Sequence, residues 1–527
     1  MGPGTVPEPS LSGEDTTVEH GETTIPDLVA RAAEEHGERE AVVDGEQRLT
    51  FADLASRVRQ TGRAMIAWGV RPGDRVAVWA PNSAEWIVTA LGAVSVGAVL
   101  VPLNTRLKAA EAAHILRTSR TKLVAAAGEF LGVDYVRELK AIRDELPDLE
   151  VMTAFTDGGL PPVVSRRQFR APGMKVPASV FDEAAASLSP DSPGDLFFTS
   201  GTTGAPKGVE TTHGQTTRAF HQWSDIVGLR AGDRYLIANP FSHTFGYKAG
   251  ILACLMRGAT MVPLPSFDAE ALFETIERER ITVFPATPAV YQMMLAHPDL
   301  AKHDLSSLRA AATGAAVIPV ELIERMRDTL GLSTVITAYG LTEATGVVTM
   351  CRDGDAPEVV ARTSGRAIDG VEVRIAEGTG EILVRGYNVM RGYFEDEAAT
   401  AEAVDADGWL RTGDVGDLDE AGNLRITDRI KDMFICGGFN AYPAEIEQVL
   451  LAFPGVQEAA VVGVPDQRLG EVGKAFVIAV PGQRVEPEAL IAYAQERLAN
   501  YKVPRHVELV EAFPRSSLGK VLKRELR

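Results

Sequence analysis

The sequence predicts an α/β protein with a large N-terminal domain and a small α+β C-terminal domain. The chain has 527 residues and 45% hydrophobic content, which is more than a single hydrophobic core usually takes, so at least two domains are expected. Through much of the chain, short β-branched runs alternate with helical patterns, which is typical of βαβ units and a parallel sheet. Later, short alternating strands separated by glycine turns indicate an antiparallel unit.

The βαβ pattern occurs twice. GDRVAVWAPNS, from Gly73, is followed by a helical segment starting near Ser83 and by the strand-like AVLVPL at 98–103. GDRYLIANPFS, from Gly232, is likewise followed by a helical segment and by ATMVPL. The repetition predicts two related subdomains, although generic strand–turn–helix units can also resemble each other by chance.

The pattern changes twice in the last third of the chain. Residues 369–393 contain VEVRIAEGTGEILVRG, which predicts a third, antiparallel subdomain. The polar TDRIKD at 427–432 separates the strand-like NLRI from MFIC, and a helical pattern then starts at Pro443. We expect four segments: an acidic disordered tail at 1–24, an N-terminal domain at 25–428, a hinge at 429–432 and a C-terminal domain at 433–527.

Composition excludes several classes of function. The formal net charge of −19 and pI of about 5.1 repel polyanions, so no nucleic-acid partner is expected, whereas a mononucleotide needs only local donors and cations. Three widely spaced cysteines, Cys254, Cys351 and Cys436, match neither a disulfide framework nor a metal cluster, which favours a cytoplasmic location. The apolar run 86–103 is interrupted at Gly97, so we expect a helix and a buried strand and no integral membrane association.

The segment TSGTTGAPKG, Thr199–Gly208, is suited to a triphosphate. Its glycines let backbone N–H groups turn toward an anion, its hydroxyls add donors, and Lys207 adds a cation. The donors and glycines of the loop are Thr199, Ser200, Gly201, Thr202, Thr203 and Gly204. The order of a Walker A loop is absent, and a flexible Gly/Thr linker is the alternative interpretation.

Several segments in order resemble the adenylate-forming superfamily of acyl-CoA synthetases, aryl-CoA ligases, luciferases and peptide-synthetase adenylation domains. They are TSGTTGAPKG, YGLTEAT (Tyr339–Thr345), TGD (Thr412–Asp414), TDRIKDMFICGGFNAYPAEIE (Thr427–Glu447) and SLGKVLKREL near the end. The resemblance implies an α/β N-terminal AMP-binding domain of two αβαβα subdomains and a small β-barrel-like subdomain, followed by a mobile C-terminal domain. It also implies an ATP-dependent acid:CoA ligase that uses ATP, Mg²⁺ and CoA.

Adenylation brings a carboxylate against the α-phosphate, so cations must converge on two anions. By the resemblance, Lys520 contacts the carboxylate and α-phosphate, Glu343 binds Mg²⁺, and Thr342 touches the phosphate. Adenine would lie between Tyr339 and the loop 313–316. Other nucleotide contacts implied are Gly314, Ala315, Gly340, Asp414 on the ribose and Arg429 beside it. Taken alone, Lys520 would be a solvated lysine, Tyr339 a core aromatic and Asp414 a turn residue.

Thioester formation requires a different arrangement, because the thiol must reach the carbonyl where Lys520 had stood. The resemblance implies that Lys431 is the hinge of a domain rotation and that Gly437, Gly438 and Phe439 line the pantetheine tunnel. Lys474 is a weaker candidate on that face. Cys436 could be a nucleophile, but no histidine lies within a dozen residues and the family uses the thiol of CoA.

The acid would lie in a small, apolar pocket, which indicates a hydrophobic tail without a second carboxylate. The resemblance implies a lining of Phe241, His243, Gly246, Tyr247, Ala315, Ala316 and Val347. His243 would also gate access of CoA, while a satisfied core histidine is the alternative. Stretches such as GFNAYPAEIE and ANYKVPR are similar to actinobacterial ligases for steroid-derived acids, including bicyclic indanedione propanoates.

Other functions remain open on the sequence alone. Medium- or long-chain fatty acids and aryl acids compete as substrates, because specificity depends on pocket shape. A carrier-protein acylating enzyme, a luciferase-like oxygenase and a non-catalytic nucleotide-binding protein share parts of the pattern. A homodimer is compatible with the sequence, which sets no oligomeric state.

Overall fold

A computed structural model describes residues 23–158, 161–199, 206–314, 318–429, 432–436, 439–441, 443–466, 468–498, 500–515 and 521–526. Of residues 428, 429, 435, 439 and 440 it describes the backbone alone.

The first part of the chain alternates strands and helices, and its strands are divided between two sheets and a short hairpin. Its elements are α1 Ile25–His36, β1 Glu40–Asp44, β2 Gln47–Thr50, α2 Phe51–Ala67, β3 Arg75–Trp79, α3 Ala84–Val94, β4 Val99–Leu103, α4 Ala109–Thr118, β5 Thr121–Ala126, β6 Glu129–Phe130, β7 Val133–Asp134, α5 Tyr135–Ala141, β8 Val151–Ala154, β9 Val164–Ser165, α6 Arg166–Arg170 and α7 Ala178–Ala186.

The second part repeats the alternation. Its elements are β10 Pro193–Thr199, β11 Lys207–Thr212, α8 His213–Ile226, β12 Arg234–Ile237, α9 Thr244–Gly246, a π-helix at Tyr247–Leu252, α10 Ala253–Arg257, β13 Thr260–Pro263, α11 Ala269–Glu279, α12 Pro288–Ala296, β14 Ala310–Gly314, α13 Val320–Asp328, β15 Thr334–Tyr339, β16 Thr349–Met350, α14 Pro357–Arg362 and β17 Arg366–Ala367.

The remaining elements form the antiparallel unit and the C-terminal part. They are β18 Val371–Ile375, β19 Glu381–Gly386, β20 Gly392–Tyr393, α15 Glu397–Ala403, β21 Leu410–Leu418, β22 Leu424–Arg429, β23 Phe434–Cys436, β24 Phe439–Ala441, α16 Pro443–Leu451, β25 Val456–Asp466, β26 Gly470–Ala479, α17 Pro487–Gln495 and β27 His506–Leu509.

The N-terminal part contains two large sheets, one main hydrophobic core and a smaller apolar cluster that includes Met65, Val76 and Phe181. One sheet has the order β20-β11-β10-β4-β3-β5-β8-β9. The others, β12-β13-β1-β2 and β14-β15-β16-β17, are joined by single-residue bridges at Val283. The core includes Val78, Leu236 and Ile336 from strands of both sheets, so one apolar cluster holds the layers together.

The repeat predicted from the sequence is present in three dimensions. β3 and β4 are parallel with Arg75 opposite Val99, and β12 and β13 are parallel with Arg234 opposite Thr260. The glycines that open the two units, Gly73 and Gly232, have φ angles of +84° and +90°, conformations that favour glycine. The apolar run 86–103 folds as α3 and β4, as expected, and α3 begins at its N-cap Ser83. Among the described residues, no helix is both long and apolar enough to span a bilayer.

The antiparallel unit is a four-stranded sheet of order β18-β19-β21-β22, where the sequence predicts a small β-barrel-like subdomain. β20 leaves this unit and pairs with β11 at the edge of the eight-stranded sheet. The chain after β22 has its own hydrophobic core, which includes Phe434, Ile446, Val461 and Leu490. The fold class is therefore confirmed: an α/β arrangement with a large N-terminal and a small C-terminal domain.

Candidate functional site

The segment Thr199–Gly208 connects two antiparallel strands. Thr199 ends β10, Lys207 begins β11, and these two residues are register partners at the base of the hairpin. Five glycine, serine and threonine positions of the loop, residues 200–204, lie outside the described residues. The hairpin therefore holds both ends of the predicted phosphate loop against the edge of the large sheet.

Glu343 faces this hairpin. It lies in a 3₁₀ turn, Thr342–Ala344, that follows β15, and its Oε1 accepts a hydrogen bond of 3.2 Å from Thr199 Oγ1. The same oxygen accepts a hydrogen bond of 3.1 Å from the hydroxyl group of Tyr393. The loop and the YGLTEAT segment thus share one cleft, and Tyr393, which the sequence did not single out, belongs to it.

Asn388 holds the turn that carries Glu343 in place through two hydrogen bonds. Asn388 Nδ2 donates to Val347 O at 2.8 Å, and the backbone carbonyl oxygen of Asn388 accepts from Thr345 Oγ1 at 2.7 Å. Two residues further on, Met390 N donates to Glu343 O at 2.8 Å. Because Asn388 is fully buried, these bonds are protected from water and set the position of the turn.

Lys207 lies on the other side of Tyr393. Its Nζ is 5.1 Å from the centre of the Tyr393 ring, within the range of a cation–π contact. Tyr393 is the register partner of Val209, and Phe394 N donates to Gly208 O at 2.8 Å. A cation and a carboxylate predicted to bind nucleotide phosphates and metal therefore both contact one tyrosine.

The residues predicted to bind the nucleoside form a second group next to the first. Tyr339 ends β15, four residues before Glu343, and its hydroxyl group donates a 2.6 Å hydrogen bond to Asp414 Oδ2. Asp414 is in β21, opposite Arg429 of β22. Gly314 ends β14 beside Ala338, and a Cβ there would lie 2.6 Å from Ala338 O, so this glycine is required by strand spacing.

Residues 240–247, here called the acyl segment, contain four of the predicted pocket residues and pack against the Glu343 turn. A Cβ on Gly346 would lie 3.1 Å from Thr244 Cβ, and a Cβ on Gly340 would lie only 2.2 Å from Gly346 O. Gly246 is required because a Cβ there would lie 2.2 Å from Pro240 O. The apolar members of the predicted pocket, Phe241, Tyr247 and Val347, are all buried.

His243 is the N-cap of α9, and its Nδ1 accepts a 3.2 Å hydrogen bond from Phe245 N. Burial lowers the pKa of His243 to about 4. The imidazole is therefore neutral at physiological pH, with its proton on Nε2, because Nδ1 acts as an acceptor.

A buried ion pair lies directly behind the acyl segment. Lys248 Nζ is 3.1 Å from Asp195 Oδ1 and donates to Thr211 Oγ1 at 2.7 Å, and both charged side chains are fully buried. Lys248 belongs to the π-helix, a form of backbone that is frequent at functional sites. This pair joins the π-helix to β10 and β11, the strands that carry the loop. The sequence contains no signal for it, since the partners are 53 residues apart.

The other predicted residues either lie outside the described part of the chain or, as Lys474 and Cys436 do, lie within it. Outside the described residues lie Ser200, Gly201, Thr202, Thr203, Gly204, Ala315, Ala316, Lys431, Gly437, Gly438 and Lys520, and the side chains of Arg429 and Phe439. Lys474 forms an ion pair with Glu508 at 2.7 Å. Cys436 is buried, and burial raises the pKa of its thiol, which disfavours a nucleophilic thiolate.

Comparison with known proteins agrees with this site. The AMP-binding enzyme family matches residues 29–394, and the AMP-binding enzyme C-terminal domain matches residues 445–520. The chain is 51% identical to the 7a-methyl-1,5-dioxo-octahydro-1H-inden-4-yl propanoyl:CoA ligase of Rhodococcus jostii (strain RHA1), over 96% of the chain and 98% of that protein. It is 49% identical to the ligase of the same name from Mycobacterium tuberculosis, with 96% and 98% covered.

The fold is likewise similar to solved structures. An anthranilate CoA ligase in complex with anthranoyl-AMP superposes with a TM-score of 0.84 at 28% identity, covering 96% of this chain and 97% of that one. The matched families and the relatives are enzymes that bind AMP or form acyl-CoA, and the cleft of Thr199, Lys207 and Glu343 is consistent with that chemistry. The chain belongs to the AMP-binding enzyme family and is an acyl-CoA ligase.

Proposed function

We propose that this acyl-CoA ligase activates a fused-bicyclic keto acid, a 7a-methyl-1,5-dioxo-octahydroindenyl propanoate, as its acyl-adenylate and transfers the acyl group to CoA. The observation that carries the proposal is the near-complete coverage of two relatives of this name at 51% and 49% identity. A long-chain-fatty-acid ligase and a feruloyl-CoA synthase are more distant, at 35% and 37% identity.

The described part of the predicted pocket supports a compact apolar tail. Phe241, Tyr247 and Val347 are buried aromatic or branched side chains. Lys248, the residue after Tyr247, is paired with Asp195, so its charge is not available for a second carboxylate.

The nucleotide is proposed to lie along the cleft between the hairpin and the Glu343 turn. Lys207, Thr199 and the loop between them would bind the phosphates, and Thr342 would contact the α-phosphate. Tyr339, with Gly314, Ala315 and Gly340, would bind adenine. Asp414 would accept the ribose hydroxyls, with Arg429 beside it, because a carboxylate can accept two hydrogen bonds at once.

Mg²⁺ is proposed to bind at Glu343. Among the described residues no cluster of three potential metal-ligating side chains occurs, which suits an ion held by one carboxylate, phosphates and water. The donors at this point are oxygen atoms, from Glu343 and Thr199, as hard Mg²⁺ prefers. When bound, the ion would neutralise charge on the phosphate oxygens.

The C-terminal domain is proposed to alternate between two positions about residues 429–432, with domain bounds 25–428 and 433–527. The separate hydrophobic core that begins at Phe434 supports a unit able to move as a body. In one position Lys520 would neutralise charge between carboxylate and α-phosphate. After rotation at Lys431, the segment Gly437–Phe439 would line the thiol tunnel, and neutral His243 would gate that channel without attracting a second anion.

The substrate is tested with a panel of acids at saturating ATP and CoA. The panel contains the bicyclic dioxo propanoate, octanoate, palmitate and ferulate, with AMP and acyl-CoA measured by mass spectrometry. We expect kcat/KM for the bicyclic acid to exceed that of each other acid by about tenfold or more, as shape-selective pockets allow. An equal or higher value for octanoate, palmitate or ferulate would reassign the substrate class and leave the ligase activity intact.

A further inference from the structure

We propose that Tyr393 is a positioning residue, which orients Glu343 and holds Lys207 away from it before the nucleotide binds. The inference rests on the proposed roles of Lys207 and Glu343 in binding phosphates and Mg²⁺. It concerns two separate parts of one side chain: the hydroxyl group, which contacts Glu343, and the ring face, which contacts Lys207.

The hydroxyl group determines which oxygen of Glu343 is available. Tyr393 and Thr199 both donate to Oε1, at 3.1 and 3.2 Å. Within the described part of the chain, no group donates to Oε2. Two donors on one oxygen orient the carboxylate and leave the other oxygen for a cation, because a carboxylate rotates freely unless its acceptor sites are engaged.

The ring face keeps Lys207 from neutralising Glu343. A lysine and a glutamate in one cleft attract each other, and a direct ion pair would remove both charges from the nucleotide. Among the described residues, Lys207 forms no ion pair, and its Nζ instead lies 5.1 Å from the Tyr393 ring centre. The ring is a neutral partner that the cation can leave easily, because an exposed cation–π contact is weak.

The backbone fixes Tyr393 relative to the loop. Its N–H donates to Thr400 Oγ1 at 2.9 Å, and the flanking residues Arg391 and Phe394 donate to Glu210 O and Gly208 O at 3.0 and 2.8 Å. These bonds fix the backbone from which the Tyr393 side chain reaches Glu343 and Lys207.

The test separates the two contacts with two substitutions. Tyr393→Phe removes the hydroxyl group and keeps the ring, and Tyr393→Leu removes both. Tyr387→Phe is the matched control. Tyr387 likewise forms a hydrogen bond at its hydroxyl group, which accepts from Gln222, and its ring lies under a cation, Arg218 at 4.0 Å, outside this cleft. Glu343→Gln tests the proposed metal-binding carboxylate itself.

The measurement is calorimetric binding of α,β-methylene-ATP to the full-length protein, in EDTA and over a Mg²⁺ series, with no acid present. For Tyr393→Phe we expect the enhancement of affinity by Mg²⁺ to fall roughly tenfold, the value of one hydrogen bond to a charged group, with affinity in EDTA unchanged. For Tyr393→Leu we expect an additional loss of about fivefold in EDTA, as Lys207 pairs with Glu343. Tyr387→Phe should match the unsubstituted protein in both conditions.

The outcomes separate the inference from the proposed function. If Glu343→Gln keeps the full Mg²⁺ enhancement, the proposed metal role fails, and with it the basis for the inference. If Glu343→Gln loses the enhancement while Tyr393→Phe keeps it, the positioning role of Tyr393 is overturned and the metal site stands. Should Tyr393→Leu not fold, Tyr393→Phe alone, with an unchanged melting temperature, decides the result.

Discussion

The hydroxyl group of Tyr339 donates a 2.6 Å hydrogen bond to Oδ2 of Asp414, and both residues are buried. Tyr339 ends β15 and Asp414 is in β21, so the bond joins two sheets. A nucleoside that reaches Tyr339 would therefore meet a carboxylate that is already oriented, which reduces the ordering that binding requires.

Replacing Asp414 with Asn should weaken nucleotide binding. The amide retains one acceptor for Tyr339 but loses the charge and the second acceptor, so we expect KM for ATP to rise about tenfold or more. Steady-state kinetics at saturating acid and CoA measure it. Asp417→Asn is the control, because Asp417 lies on the same strand and pairs with Arg425 at the surface; an equal rise in both variants would contradict a specific ribose contact.

Lys520→Ala should abolish acid-dependent exchange between ATP and pyrophosphate and spare CoA transfer from supplied acyl-adenylate. The reason is that the lysine acts only where charge develops on the α-phosphate, a contact that contributes on the order of 10² to 10³ in rate. Arg524→Ala, which changes an exposed cation nearby, should alter neither half-reaction. Equal losses in both half-reactions of Lys520→Ala would refute the assignment.

Gly437→Leu should show the opposite pattern. A side chain there would obstruct the thiol arm if Gly437 lines the tunnel, so we expect slow thioester formation with pyrophosphate exchange unchanged. Rapid-quench assays of the two half-reactions measure the split. A normal rate of thioester formation would rule out the tunnel position. The control is Ala444→Leu, which should leave both half-reactions unchanged. Gly482→Leu is unsuitable, because Gly482 has a φ of +81°, where a leucine would be strained.

Replacing one residue of the Lys248–Asp195 pair should lower the free energy of unfolding strongly, whereas replacing both should lower it much less. Lys248→Met leaves Asp195 as an unpaired buried carboxylate, so the free energy of unfolding should fall by about 3 to 5 kcal/mol. The double variant Lys248→Met/Asp195→Leu should recover most of this loss, because no charge remains buried. Denaturant unfolding measures both, and Arg425→Met, which breaks an exposed pair with Asp417, should cost less than about 1 kcal/mol. A double variant no more stable than the single one would contradict this account.

His213 should make the protein less stable in mild acid. It is fully buried, its Nδ1 accepts from Ile25 N at 3.0 Å, and burial lowers its pKa from 6.5 to about 4. The unfolded chain therefore binds a proton in a range where the folded chain does not. The contribution is fully present above the unfolded pKa and is lost as the pH falls toward the folded pKa.

We expect a loss of about 2 kcal/mol from His213 between roughly pH 7.5 and pH 5, on the scale of 1.4 kcal/mol per pKa unit. Urea unfolding at the two pH values measures it. His213→Gln should reduce the difference between them, whereas His506→Gln, at an exposed histidine, should not. An unchanged pH dependence in His213→Gln would show that this ring is not the source.

Local patterns were sufficient to predict most of the elements. The sequence predicts the units that begin at Gly73 and Gly232 and a helix starting near Ser83, and all three are present. Each depends on residues a few positions apart, through turn conformation, capping and hydrophobic period. The alternating pattern predicts the antiparallel strands of the sheet β18-β19-β21-β22. It does not predict which strands lie at the edges of that sheet, because the edges are set by packing against other parts of the chain.

The site was predicted in its composition and not in its connections. The motifs predict five residues of the site, because each lies in a motif with its own chemical role: Thr199, Lys207, Glu343, Tyr339 and Asp414. The motifs do not predict which side chains these residues contact. Tyr393 meets Glu343 because β20 crosses to β11, and Asn388 supports the turn from the preceding loop.

The sequence by itself determined the class of protein, the order of its elements and the residue types that adenylation chemistry requires. Only the tertiary structure decided that Tyr393 contacts both Lys207 and Glu343, that Lys248 pairs with Asp195, and that burial lowers the pKa of His243. The physical reason is that element type follows from near neighbours along the chain, whereas the charge state and orientation of a side chain follow from groups that strand pairing brings together from distant positions.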